Sequence, residues 1–265
     1  MKYNDILHIL SQKGLPLADI KDIFDGYFKV EFDRLGIIGE EECQMDITPL
    51  LEKIDKHYPI SYLVGYTYMA GMRIYLNQDT LIPRIETEDF ILNYLNPNYD
   101  LSGKEVLDLC TGSGFIALLI KKLYPKAIVT GSDIVLNALE MAKKNAQYND
   151  LNISFVQSDF LFDIHQKYDF IVSNPPYIEV GSKDVFAPYE PELALFSGVD
   201  GLDSYRAIFK ELDSHLKEGG QAFFELESTN SKATFNLFRQ CYPSYDAEVI
   251  QDLYKRDRYL VVKKH

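Results

Sequence analysis

The chain lacks the features that would tie it to a membrane, a disulfide framework or a nucleic-acid backbone. Its 265 residues hold three cysteines, Cys43, Cys110 and Cys241, with no Cys-x-x-Cys spacing, which argues against a disulfide-stapled fold and a zinc site alike. The five histidines are scattered and form no ligand-like cluster, so no metal is expected. No apolar run approaches the roughly 20 residues of a membrane span. The opening stretch "MKYNDILHILSQKG" breaks its apolar residues at His8 and turns polar, unlike a signal peptide, so a reducing cytoplasm is the expected setting. Positive charge is scarce. With 27 Lys and Arg against 40 Asp and Glu, the formal charge of −13 opposes a sequence-independent grip on phosphates and permits a basic protein partner. There is no internal repeat and no low-complexity segment.

What the chain does contain is ordinary globular material: 46% hydrophobic and 25% charged residues, enough to bury a sizeable core. From Tyr3 to about Tyr62, apolar residues recur every three or four positions, broken by Gly14, Pro16, Gly36, Gly39 and Pro49. This predicts a small helical domain over residues 1–65. Residues 66–82 read as a hairpin or linker with Gly71 at the turn. From residue 83 to 265, strand and helix alternate through short connections. The pattern predicts an α/β domain with a mostly parallel sheet covered by helices on both faces. Seven strand-forming runs are present: "EVLDLC", "AIVTGSD", "ISFVQSD", "YDFIVSN", "QAFFELE", "AEVIQD" and "RYLVVKK". The helix "SYRAIFKELDSHLKE" is expected to stop at Gly219 and Gly220.

In such sheets the ligand lies beyond the carboxyl ends of the strands, and there the informative residues fall. In "LDLCTGSGFIALLI" a strand ends, Gly112 and Gly114 follow, and a helix begins, so the backbone can turn sharply and approach a ligand. The spacing matches neither the G-x-G-x-x-G dinucleotide fingerprint nor the P-loop. Asp133 ends the next strand, where its carboxylate can accept from both ribose hydroxyls. Asp159 ends the one after, where it can accept from an adenine amino group. A nucleoside site without a phosphate cradle points to S-adenosylmethionine, with Asp108 and the turn it opens, Cys110 and Thr111 included, near the methionine half.

After the fourth strand comes "NPPY", Asn174 to Tyr177. Pro175 and Pro176 each push the residue before them toward extended geometry, so this wall is held open. Asn174 adds a side-chain acceptor beside backbone carbonyls, and Tyr177 an aromatic face. Two fixed acceptors suit a planar –NH₂ group. Holding both N–H bonds turns the nitrogen lone pair toward the methyl group, and proximity then supplies most of the catalysis.

These motifs identify a resemblance to the amino-group N-methyltransferases. Three further stretches, "PISYLVG" from Pro59, "LIPRIETE" from Leu81 and "YEPELALFSGVDGLDSYR" from Tyr189, resemble the HemK/PrmC family of protein-(glutamine-N5) methyltransferases. The likeness runs from about residue 59 to the C-terminus. It implies a Rossmann-like, seven-stranded methyltransferase domain, and a helical N-terminal domain that helps to grip a peptide-chain release factor. It also implies methylation of the glutamine in that factor's Gly-Gly-Gln motif. Cofactor roles would fall on Gly112, Asp133 and Asp159, and the substrate amide on Asn174 and the Pro175 carbonyl. Arg84, Glu86 and Glu190 would line the site. From the residues alone, Arg84, Glu86 and Glu88 read as a solvated helix start. Five positions depart from the family pattern: Cys110 for a loop glycine, Ile85 for proline, Ser61 for Gln or Ala, and Glu227 and Asn230 for the Gly and Gln of E-I-G-x-x-Q. Methylation of another amide or amine, and cofactor binding without turnover, remain as alternative readings.

Overall fold

A computed structural model describes residues 1–182 and 188–265. The chain divides into two compact units, Met1–Thr67 and Tyr68–His265. The first is helical: α1 Tyr3–Gln12, α2 Leu17–Asp22, α3 Leu35–Ile38, α4 Thr48–Asp55 and α5 Ile60–Val64, with a wider π turn over Ile23–Phe28. Ile6 and Leu10, four residues apart on one face of α1, are fully buried, as are Ile23, Phe24 and Leu50. Phe24 gathers Tyr3, Phe28 and Phe32 around it, with ring centroids 5.4 to 6.2 Å away.

Strands β1 (Tyr66–Met69) and β2 (Met72–Tyr75) form a separate two-stranded sheet. Ala70 and Gly71 join them with φ of 48° and 68°, the pair of left-handed residues that a tight hairpin turn requires. Lys122 Nζ donates to the Ala70 carbonyl at 2.9 Å, and the Ala70 N–H donates to Glu88 at the same distance.

The second unit carries the main sheet: β3 Glu105–Leu109, β4 Ile128–Asp133, β5 Ser154–Gln157, β6 Tyr168–Ser173, β7 Leu216–Glu225, β8 Asp246–Gln251 and β9 Asp257–Lys263. Its order is β5-β4-β3-β6-β7-β9-β8. The first five strands run parallel, and β9 is antiparallel to both its neighbours. The helices are α6 Ile85–Asp89, α7 Asn96–Asn98, α8 Phe115–Leu123, α9 Leu136–Tyr148, α10 Glu192–Leu195, α11 Asp203–His215 and α12 Ser231–Cys241. The expected helix "TEDFILNYL" begins as α6 and widens into a π turn over Phe90–Leu95.

Successive residues of β7 pack on opposite faces. Phe223 meets Tyr99 and Phe170, while Phe224 meets Phe209 of α11. That alternation buries both faces, and the residues around Phe224 form one core with Leu107, Ile171, Tyr205 and Phe238.

One expectation fails. Gly219 and Gly220 do not end a helix; α11 stops at His215, Leu216 is already extended, and the glycines sit within β7. Register explains their use: Tyr168 pairs with Leu216 but Phe170 with Gln221, so extra residues bulge out of β7, and Gly219 takes φ of 73°. A Cβ on Gly220 would stand 2.8 Å from the Lys217 carbonyl. Among the described residues, no helix is long and apolar enough to cross a membrane.

Candidate active site

β3 and β6 lie side by side at the centre, and the sheet winds outward from them in opposite directions. Their carboxyl ends therefore open a crevice at the point where the strand order reverses. The loop after β3 forms one wall and Asn174 to Tyr177, after β6, the other. Ser173 ties the two strand ends by donating to the Leu109 carbonyl at 2.7 Å.

The glycine loop is held from below. Asp108 is fully buried, and its Oδ2 accepts the Thr111 hydroxyl and, at 2.9 Å, the Ala117 N–H. Its Oδ1 has no hydrogen-bond partner among the described residues. Burial pushes the Asp108 carboxyl up to about 7, against the pull of those two bonds. Cys110 takes φ of 62°, a conformation natural to glycine, which is the residue that the family pattern has there. Burial raises its thiol well above the ordinary range, so it stays protonated and unreactive. Gly114 has φ of 85°, and an added Cβ would lie 2.8 Å from Leu118 Cδ1 and 3.0 Å from the Ala142 Cβ. Asn145 of α9, fully buried, donates to the Ser113 carbonyl at 2.8 Å and exchanges bonds with the Tyr75 backbone. It fastens the glycine loop to β2.

Over this loop lies a cavity of about 640 Å³, lined in part by Cys110, Thr111, Gly112, Asp133, Asp159 and Asn174. Asp133 accepts the Gly112 N–H at 2.9 Å and the Val135 N–H at 3.0 Å; burial nevertheless raises its carboxyl. Asp159 is exposed at the cavity edge. Four aspartates, including Asp79 and Asp203, face one arginine, Arg84, across the lining. Such an acceptor set repels a polyphosphate and suits a cationic nucleoside bearing hydroxyl and amino donors. Above Gly112 a Cβ would meet nothing within 4 Å, so this turn leaves room for a ligand against bare backbone.

A second pocket of about 120 Å³ adjoins the first, and Arg84, Asn174, Tyr177, Leu195 and Glu227 line it. Asn174, Arg84, Leu81 and Ala194 belong to both. The wall from Asn174 to Tyr177 is braced outside. Ile178 donates to Leu195 at 2.8 Å, Ser197 donates to Ile178 at 2.8 Å, and Asn230 Nδ2 donates to the Tyr177 carbonyl at 3.2 Å. Gly201 must lack a side chain, because its Cβ would fall 2.4 Å from that same carbonyl. The Tyr177 hydroxyl donates to Glu225 at 3.2 Å, as does Thr87 at 2.7 Å. Glu225 is 2% exposed; burial raises its carboxyl, opposed first by the Thr87 bond and then by the Arg258 charge.

The sequence-derived residues thus divide. Thr111, Gly112, Asp133, Asp159, Asn174, Pro176 and Arg84 come together on the cavities, Asp108 and Gly114 support them from behind, and Pro175 is buried in the wall between Asn174 and Pro176. Arg84 is no solvated helix start: it lines both cavities and pairs with Glu190, itself 5% exposed. Glu86 lies outside both, its carboxylate 3.2 Å from Arg256, because the first turn of α6 points it toward β9. Thr87, Asn145, Ser197 and Gly201 escaped the sequence reading. Thr87 stands inside the quoted "LIPRIETE" stretch, and Ser197 and Gly201 inside "YEPELALFSGVDGLDSYR", so for those three a signal was present.

The Methyltransferase small domain family matches residues 86–187. A release factor glutamine methyltransferase of Streptococcus pneumoniae is 36% identical over 232 residues, covering 85% of this chain and 82% of that protein. Among solved structures, a methyltransferase from Pyrococcus furiosus superposes with a TM-score of 0.55 at 19% identity, over 82% of this chain and 98% of its own. A 16S rRNA N2 methyltransferase of T. thermophilus, in complex with AdoMet and guanosine, gives 0.52 at 18% identity, over 76% and 50%. These two share the fold. With the relative's likeness spanning both the glycine loop and the Asn-Pro-Pro-Tyr wall, the chain belongs to the release factor glutamine methyltransferase family.

Proposed function

We propose that this enzyme transfers the methyl group of S-adenosylmethionine to the side-chain amide nitrogen of a glutamine, the one in the Gly-Gly-Gln motif of a peptide-chain release factor. A cytoplasmic setting goes with that partner. The observation that carries the reading is the position of Asn174. Its amide makes no hydrogen bond to any described residue, yet it lines both the large cavity and the small pocket. It therefore stands where a methyl donor and an acceptor side chain meet.

When bound, S-adenosylmethionine supplies a methyl group already activated by its sulfonium. The chain's residues do the rest by placement. Asp133 and Asp159 accept from the nucleoside, and the carboxylate-rich lining favours the cationic form of the ligand. Asn174 Oδ1 and the Pro175 carbonyl accept the two amide N–H bonds, which directs the nitrogen lone pair out of the amide plane. Pro175 and Pro176 carry no N–H that would compete for those acceptors. The nitrogen sheds a proton after the new bond forms, so no strong base is required, and alignment supplies most of the acceleration.

The test is methyl transfer from labelled S-adenosylmethionine to unmethylated release factor, with the modified residue located by mass spectrometry. Label on the Gly-Gly-Gln glutamine is the expected result. Measurable cofactor binding with no label on that residue would overturn the reading.

A further inference from the structure

Glu227 lines the small pocket alongside Asn174 and Arg84. One carboxylate oxygen is anchored by the next residue, since Oε1 accepts the Ser228 N–H at 3.0 Å and the Ser228 hydroxyl at 3.2 Å. No Lys, Arg or His among the described residues lies within ion-pairing distance of it. Arg84 is already paired with Glu190. Arg258 acts on Glu227 electrostatically, but it hydrogen-bonds Asp252 and also offsets Glu225. The pocket therefore carries one negative charge beyond its pairs.

We propose that Glu227 determines acceptor specificity: it admits a carboxamide and rejects the carboxylate of the same shape. Asn174 cannot make that distinction alone. Its amide has a donor end and an acceptor end, and a half-turn about χ2 would let it greet either a glutamine –NH₂ or a glutamate oxygen. An ionised Glu227 only accepts. Facing a glutamine, whose two N–H bonds go to Asn174 and the Pro175 carbonyl, it meets a neutral group; facing a glutamate, it meets a like charge in a partly desolvated pocket. Discrimination then comes from a repulsive element rather than from tighter binding of the right group.

The inference rests on the small pocket being the acceptor site, so its test is read by binding rather than by turnover. The full chain, saturated with S-adenosylhomocysteine, would be titrated with unmethylated release factor carrying either Gln or Glu in the Gly-Gly-Gln position. The wild type is expected to bind the Gln form at least tenfold more tightly. Glu227→Gly and Glu227→Gln should bring the two forms within about threefold, with cofactor affinity unchanged, whereas Glu227→Asp should keep the preference. Equal discrimination by wild type and Glu227→Gly overturns the inference and leaves the proposed reaction standing. Preference without methyl transfer supports the inference and counts against that reaction. A wild type that binds both forms equally, or neither, overturns it.

Discussion

At the scale of single residues, Asn174 and Asp108 make separable demands. The Asn174 amide hydrogen-bonds no described residue and lines both cavities, so Asn174→Ala should slow methyl transfer by about 100-fold or more while leaving cofactor affinity within about twofold. Single-turnover rates beside calorimetric cofactor binding would separate the two, and an equal loss in both would remove its assigned role. Asp108 is different in kind. Its carboxyl is held near 7 by burial, above the value of an unfolded aspartate. The folded chain thus binds a proton that the unfolded chain releases between pH 4 and 7. Asp108 contributes its stability below that window and loses it as the pH rises through the folded value. The cofactor-free Asp108→Asn variant should gain melting temperature relative to wild type as the pH climbs from 5 to 8, as differential scanning calorimetry would record. The sequence disclosed the aspartate and its place at a strand end. Only burial, which depends on residues far away in the chain, disclosed its protonation.

At the scale of elements, two glycines set the walls of the crevice. Gly114 combines φ of 85° with a Cβ site crowded by Leu118 and Ala142, so Gly114→Ala should destabilise the chain by about 2 kcal/mol, seen as a lower denaturant midpoint. Gly201→Ala would drive a methyl group into the Tyr177 carbonyl and displace the Asn-Pro-Pro-Tyr wall. It should lower the transfer rate more than it lowers cofactor affinity, as comparison of the two constants would show. The alternation of strand and helix was legible because each run has its own hydrophobic period. Gly219 and Gly220 misled because a glycine pair marks a helix end and a strand bulge equally well. What decides between them is the pairing of Tyr168 and Phe170 with β7, a relation between strands almost fifty residues apart.

At the scale of the whole molecule, the sequence foretold a mostly parallel sheet but not its order. Strand order follows from which helix covers which face, and the position of β9 between β7 and β8 has no local signature. The cavity, in turn, exists because the order reverses between β3 and β6. A ligand seated there binds only the folded form. S-adenosylhomocysteine at about 100 times its dissociation constant should therefore stabilise the chain by about 2.7 kcal/mol. For a unit the size of Tyr68–His265, that raises the melting temperature by roughly 5–10 °C, which differential scanning fluorimetry would detect.

Glu225 gives this arrangement a property that neither cavity has alone. Thr87, which lines the larger cavity, and Tyr177, which lines the smaller pocket, both hydrogen-bond the same buried carboxylate. The walls of both cavities are gauged from one datum, as two jaws of a vice are cut from one bed. Moving the Glu225 carboxylate would therefore disturb both walls at once.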